Sequence, residues 1–179
     1  MTFRFQRLGC AVLFAAAAVV LAGCASGAHK ENMAAVAPAA VYKKIPHSVR
    51  VETRGGSETG AMDSSNVSNA DLKAAIEASI VSSGLFRNVA QSNNDYALSV
   101  TVTGLTKPMF GGSFTVTMET GWSLTRASDN AVLLRKVIRS SHTAGLGDSL
   151  VGATRLRLAV EGAARNNIEQ GLRAVSDAL

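Results

Sequence analysis

Strict alternation between apolar and polar residues marks two segments in the second half of the chain. Residues 96–106, YALSVTVTGLT, and residues 114–125, FTVTMETGWSLT, place most of their apolar side chains at even positions. A period of two gives each strand one buried face and one wet face, which is typical of antiparallel sheets. The connecting KPMFGGS has the glycines and the length of a hairpin loop, so the pattern predicts two adjacent strands.

Two further segments have the character of strands. Residues 48–54, SVRVETR, alternate with Val49, Val51 and Thr53 on one face. A turn at residues 128–130, Ser-Asp-Asn, leads into residues 131–141, AVLLRKVIRSS, whose alternation is less regular. We therefore expect four strands.

Two helices are predicted from periodicity and end signals. Ser68 is suited to an N-cap with Asp71 three residues on, and Gly84 is suited to end the same helix. A long final helix is expected from about residue 150 to residue 178, with Arg155, Glu169 and Arg173 away from its apolar stripe. That stripe comprises Ala153, Leu156, Val160, Ala164, Ile168, Leu172 and Val175.

The predicted order of elements is β-α-β-β-β-α. A mostly antiparallel four-stranded sheet with both helices on one face would bury every apolar stripe. The predicted fold class is α+β, a two-layer sandwich that forms one domain over residues 47–179.

The beginning of the chain has the layout of a targeting segment. Arg4 and Arg7 precede an uncharged apolar run, residues 8–21, that is too short to span a bilayer as a helix. The run ends in Leu21-Ala22-Gly23-Cys24, which resembles the lipobox of bacterial lipoproteins. The resemblance implies that residues 1–23 are a cleaved signal peptide and that Cys24 receives a diacylglycerol on sulfur and an acyl chain, such as palmitate, on its amino group.

The residues after Cys24 bear on location. Ala25 and Ser26 follow the cysteine, with no Asp at position 25, and the family's sorting rule then implies the outer membrane of a Gram-negative cell. We expect the domain to face the periplasm. Residues 24–46 are Ala-rich and without period, so they are predicted to be the lipidated cysteine and a flexible tether that reaches tens of ångströms at about 3 Å per residue.

Composition removes several functional classes. Cys10 lies in the removed peptide and Cys24 is acylated, so the mature chain has no free thiol for catalysis or metal binding. The formal charge of +5 includes Arg4 and Arg7, leaving 5 − 2 = +3, and the basic residues are scattered, so nucleic acid is not an expected partner. His142 with its neighbouring serines and Asp148 lacks the motifs of a catalytic triad. We expect no enzyme activity, no cofactor and no metal.

Three apolar residues are candidates for partner or membrane contact: Met109, Phe110 and Trp122. Met109 and Phe110 lie in the glycine-containing hairpin loop, where they either insert into a partner or membrane surface or fold over the sheet end. Trp122 falls on the apolar face of its strand by parity, which favours the core. A bulge at Gly121 would instead expose it.

The lipobox, the short tether and the order of elements together resemble small envelope lipoproteins of Gram-negative bacteria. The segments SNADLKAAIEASIVSSGLF and YALSVTVTGL, the hairpin and the last helix are similar in pattern to the YajG family and, more distantly, to LptE, the N-terminal domain of TolB and CsgG. The resemblance implies a membrane-anchored protein that binds or positions another envelope component without catalysis. Two alternatives stay open: a homo-oligomeric ring accessory to an export machine, and a carrier of lipid or another apolar ligand.

Overall fold

The computed structural model describes residues 26–35, 42–60 and 63–179. The signal-like segment and Cys24 therefore lie outside the described residues. The elements are α1 (Lys30–Met33), β1 (Ile45–Arg54), α2 (Asn69–Ser83), β2 (Phe86–Val89), β3 (Tyr96–Thr106), β4 (Phe114–Arg126), β5 (Val132–Ala144) and α3 (Gly152–Ala178). None of the helices in these ranges combines the length and hydropathy that a membrane crossing needs.

The sheet has five strands in the order β2-β1-β3-β4-β5. β1 pairs in parallel with both β2 and β3, whereas β3, β4 and β5 form an antiparallel meander. The predicted α+β class is confirmed, but the prediction of four mostly antiparallel strands is wrong. The strand β2 was missed because its four residues are too few to show a period of two. The parallel pairing of β1 was missed because it joins segments on either side of α2, which leaves no local signal in the sequence.

The connection from β2 to β3 carries the chain from one side of β1 to the other. Val89 and Tyr96 both lie opposite Val49, on its two sides. Asp95 holds this crossing, because its Oδ2 accepts hydrogen bonds from the Ser48 amide at 2.7 Å and the Ser48 hydroxyl at 2.9 Å. These hydrogen bonds join the end of the β2–β3 connection to β1, beside the ladder that pairs β1 with β3.

Helix α2 forms as its end signals predict. The Ser68 side chain accepts a hydrogen bond from the Asp71 amide, and Gly84 ends the helix in the left-handed conformation at φ 65°. The buried face of α2, which includes Leu72, Ile76 and Ile80, packs on the same side of the sheet as α3.

Helix α3 approaches the sheet closely because glycines face two large rings. A Cβ on Gly171 would lie 2.2 Å from Trp122 Cζ2, and a Cβ on Gly162 would lie 2.1 Å from His142 Cδ2. Trp122 is 1% exposed, so its indole occupies the space that the missing side chain leaves. The small residues of this helix therefore set the distance between the two layers.

A buried polar cluster joins the same helix to β4 and β5. Asn167 Oδ1 accepts hydrogen bonds from Thr120 Oγ1 at 2.5 Å and from Trp122 Nε1 at 3.2 Å. Its Nδ2 donates to the Ile138 carbonyl and to Ser140 Oγ, both at 3.2 Å. Every polar group of the amide is thereby used, as burial demands.

The segment predicted to be a flexible tether is packed against the helices wherever it is described. Met33 is fully buried, and Tyr42 and Ile45 are also buried. The carboxylate of Glu161, 1% exposed, accepts hydrogen bonds from the His29 amide at 2.9 Å and from Asn32 Nδ2 at 3.0 Å. For residues 26–35 and 42–46 the tether prediction is wrong, because apolar side chains of both stretches are buried. Glu161 accepts hydrogen bonds from the first stretch, and Ser176 Oγ accepts one from the Lys43 amide in the second.

The close approach at Gly171 generates a stability prediction. Gly171→Ala should destabilise the fold by about 1–3 kcal/mol through overpacking against Trp122, although Ala is the better helix former in isolation. Gly152→Ala is the matched control, because its Cβ meets only Arg155 Nη2, at 3.9 Å. Urea unfolding of the mature chain, followed by Trp122 fluorescence, measures both. Equal midpoints for Gly171→Ala and wild type would contradict the packing described.

The Ser48–Asp95 contact generates a pH prediction. The Ser48 amide and then its hydroxyl hold the pKa of the Asp95 carboxyl below its ordinary value of 3.8, with smaller help from His47 and Arg87. A lowered folded-state pKa means that this stabilisation is complete above the unfolded value, about 3.9, and is lost as pH falls through the folded-state pKa.

We expect Asp95→Asn to lower stability at neutral pH and to flatten its decline on acidification, as measured by urea midpoints across the acid range. Ser48→Ala keeps the amide donor and removes only the hydroxyl. Its urea midpoint at neutral pH should therefore lie between those of Asp95→Asn and wild type. An unchanged acid profile in Asp95→Asn would contradict this account.

Candidate functional site

Several loops meet at one end of the domain, which we call the loop end. It comprises residues 55–60 and 63–68 between β1 and α2, the hairpin loop (residues 107–113) and the pre-helix loop (residues 145–151). Because β1 and β3 are parallel, the loops that follow them leave the sheet at the same end. Phe114, which follows the hairpin loop, pairs with Ala144, which precedes the pre-helix loop, so these two loops lie side by side.

The hairpin loop is fixed at its base and apolar at its tip. Lys107 Nζ donates to the Ser65 carbonyl at 3.0 Å and to Asn66 Oδ1 at 2.6 Å. Burial lowers the pKa of Lys107, opposed by the nearby Asp63 carboxylate. Two residues further on, Met109 is 84% exposed and Phe110 is 86% exposed. They do not fold over the sheet end.

The pre-helix loop has the same character. Leu150 is 86% exposed, with Leu146 and Val151 also exposed. Arg155 holds this loop, because its Nη1 donates a hydrogen bond to the Ser149 carbonyl at 2.9 Å. Its guanidinium also lies 5.3 Å from the centre of the Phe114 ring, at the start of β4. Arg155 is buried, so its predicted position away from the buried face of the last helix is wrong.

The described chain begins at the loop end. The Ser26 carbonyl accepts a hydrogen bond from Ser65 Oγ at 2.8 Å, and the Ala28 amide donates to the Asn66 carbonyl at 3.0 Å. Residues 64–66 therefore contact the N-terminal segment on one side and Lys107 on the other. The predicted lipidation residue, Cys24, is two positions before Ser26.

The face of the sheet opposite the helices is not covered by any element in the described ranges. It carries mainly Ser, Thr and charged side chains, as the odd positions of β3, β4 and β5 dictate. Gly121 leaves a shallow depression of about 270 Å³ there, between Ser99, Ser123, Arg135 and Val137. Trp122 points the other way, into the core, so a contact role for its side chain is excluded by its burial.

The residues considered for chemistry do not converge. The Ser140 hydroxyl donates to the Ala163 carbonyl in the buried layer, and Ser141, at the next position, is exposed on the open face. Asp148 accepts from the amide of Gly145 within its own loop and does not cap α3. Within the described ranges, no three His, Cys, Asp or Glu side chains are grouped as metal ligands.

The sequence indicates one of the two apolar loops, because Met109 and Phe110 are apolar residues in a glycine-containing turn. The pre-helix loop, GLGDSLV, also contains apolar residues among glycines, and no contact with a partner or membrane was predicted for it. That the two loops adjoin follows from the β4–β5 register, which the sequence does not display.

No family model and no curated protein matches the chain. Among solved structures, protein XCC0632 from Xanthomonas campestris, with family model DUF330, is similar over 80% of this chain and 93% of its own, at 16% identity and a TM-score of 0.57. The hypothetical protein CT253 from Chlamydia trachomatis is similar over 73% of this chain and 98% of its own, at 8% identity and a TM-score of 0.51.

A dodecamer of PelC from Paraburkholderia phytofirmans is similar over 75% of this chain and 91% of its own, at 13% identity and a TM-score of 0.49. Several weaker matches are named as lipoproteins of Gram-negative bacteria. TM-scores below 0.5 are too low to support a conclusion about this chain. The two higher matches, at identities of 16% and 8%, show that it shares the fold of XCC0632 and CT253.

Proposed function

We propose that this protein is a lipoprotein of the bacterial envelope, anchored in the outer membrane through acylated Cys24 and facing the periplasm. It binds or positions another envelope component and catalyses no reaction. The observation that carries the proposal is the stretch VVLAGCASG after a basic, then apolar, N-terminal run. Multiple acyl chains on one residue exceed the two signals that stable membrane anchoring requires.

The shape of the folded part supports a binding role. The helices and the N-terminal segment cover one face of the sheet, whereas no described residues outside the sheet cover the other, polar face, which has the depression at Gly121. A broad surface without converging reactive groups is suited to a protein partner rather than to chemistry.

The described core gives little support to the alternative of an apolar-ligand carrier. That alternative needs space between the sheet and an Ala-rich helix. Trp122, Met118, Ile168 and Leu172, each no more than 1% exposed, fill the layer, and the indole ring occupies the gap that Gly171 leaves.

The alternative of a homo-oligomeric ring rests on β5. This 13-residue strand, Val132–Ala144, lies at the edge of the sheet and pairs only with β4 among the described strands. An edge strand offers unpaired backbone groups to a second chain, although basic side chains on β5 oppose such pairing.

Anchoring is tested by replacing the cysteines separately. We expect Cys24→Ala to abolish incorporation of labelled palmitate and recovery with the outer membrane, because the acylated sulfur is lost. Cys10→Ala, inside the predicted signal peptide, is the matched control and should keep both. Intact mass of the wild-type protein should show a chain that begins at acylated Cys24. A wild-type protein with residues 1–23 still attached, or with an unmodified Cys24 thiol, would overturn the proposal.

Partner binding is tested by in-cell photo-crosslinking from Val137, which is 64% exposed on the open face, with Val81, 68% exposed on α2, as the control. We expect a discrete adduct with another envelope protein from position 137, absent from position 81 and lost in Cys24→Ala. Adducts with the same chain alone would favour the ring. No adduct from position 137 would contradict partner binding at the open face.

A further inference from the structure

We infer that the loop end is a membrane-docking face, on which Met109, Phe110, Leu146, Leu150 and Val151 enter the lipid surface beside the acylated Cys24. This inference rests on the proposed anchoring. It goes beyond anchoring because it gives the domain one orientation. The loop end lies on the bilayer, and the end of the sheet at which β1 and β3 begin points away from it.

The connection between Cys24 and the body of the domain is short. Cys24 and Ser26 are separated by two peptide units, which span at most about 7 Å even when fully extended. The Ser26 carbonyl accepts a hydrogen bond from the hydroxyl of Ser65, and the carbonyl of Ser65 accepts one from Lys107 Nζ. Acyl chains on Cys24 would therefore enter the bilayer next to the hairpin loop.

The described segment that follows the predicted anchor is hydrogen-bonded to α2 and α3. Besides its contact with Glu161, it is bonded at Asn32, whose carbonyl accepts from Arg165 Nε at 3.0 Å, and at Ala35, whose amide donates to Ser79 Oγ at 2.9 Å. Because the segment is held from Ser26 onward, only Ala25 separates Cys24 from the described part of the domain. The loop end then stays near the membrane surface.

The exposed apolar side chains of the described residues are concentrated at the loop end. Five of the eight large hydrophobic residues that are exposed in the described ranges lie in the two loops, and the other three are the valines Val81, Val132 and Val137. All exposed Leu, Met and Phe residues among the eight are at the loop end. A concentration of this kind marks a contact with an apolar phase or partner.

The charges of the loop end favour lipid insertion driven by apolar contact. Lys107 and Asp148 are the only ionisable residues of the two loops, and each is bonded to backbone groups at this end. Adding residues 54–66 and α3 up to residue 155 gives three basic residues, Arg54, Lys107 and Arg155, against three acidic residues, Glu58, Asp63 and Asp148. Since these charges cancel, docking should not depend on anionic headgroups.

The test uses the acylated protein in vesicles of phosphatidylcholine containing lipids with a quenching nitroxide on the acyl chain. Because Cys24 is blocked and Cys10 is removed, a single new cysteine can be labelled with an environment-sensitive fluorophore. Phe110→Cys and Leu150→Cys report on the two loops. Val81→Cys, near the C-terminal end of α2 and thus at the opposite end of the sheet, is the exposed control.

We expect the nitroxide lipids to reduce the fluorescence of labels at 110 and 150 strongly and that of the label at 81 little, with the same result when phosphatidylglycerol is added. Equal quenching at all three positions, in protein shown by mass and flotation to be acylated and vesicle-bound, would overturn this inference alone. If the fluorophores at positions 110 and 150 become shielded from water only when outer-membrane proteins are supplied, the inference is overturned in favour of a protein partner. A chain that is not acylated and does not float would overturn the proposed function and this inference together.

Discussion

The approach of α3 to β4 and β5 is the contact on which the rest of the structure depends. Gly171 lets the helix backbone lie against the indole of Trp122, and Asn167 then reaches both strands with its amide. A larger residue at position 171 would separate the layers, and the amide would lose partners that a buried polar group needs. Packing and polar satisfaction at this interface are therefore coupled.

The position of α3 on the sheet also determines where its side chains hold the N-terminal segment and the pre-helix loop. Glu161 lies six residues, about 1.7 turns, before Asn167 along the helix, and its carboxylate accepts a hydrogen bond from the His29 amide in the N-terminal segment. Arg155, nearer the start of the helix, holds the pre-helix loop and packs on Phe114. One helix thus positions the start of the folded chain and one of the two apolar loops at the same end of the domain.

The largest difference between prediction and structure concerns residues 26–35. Their composition, rich in alanine and without period, is typical of a linker. In the fold they cover the groove between α2 and α3, with Met33 fully buried. Local composition could not predict this, because what stabilises the segment is a set of partners on α2 and α3, from Ser79 to Glu161 and Arg165, that are distant in sequence.

The sequence by itself determined the elements whose signals are local. Alternation predicted β3 and β4, and the Ser68 and Gly84 signals predicted the ends of α2, as the structure confirms. The anchor at Cys24 stays a prediction from the run that ends there. The tertiary structure alone decided the parallel pairing of β1, the burial of Arg155 and Glu161, and the meeting of two apolar loops beside Ser26. The physical reason is range: periodicity and capping involve neighbours within a few residues, whereas strand order, burial of charge and the position of a surface depend on contacts between distant parts of the chain.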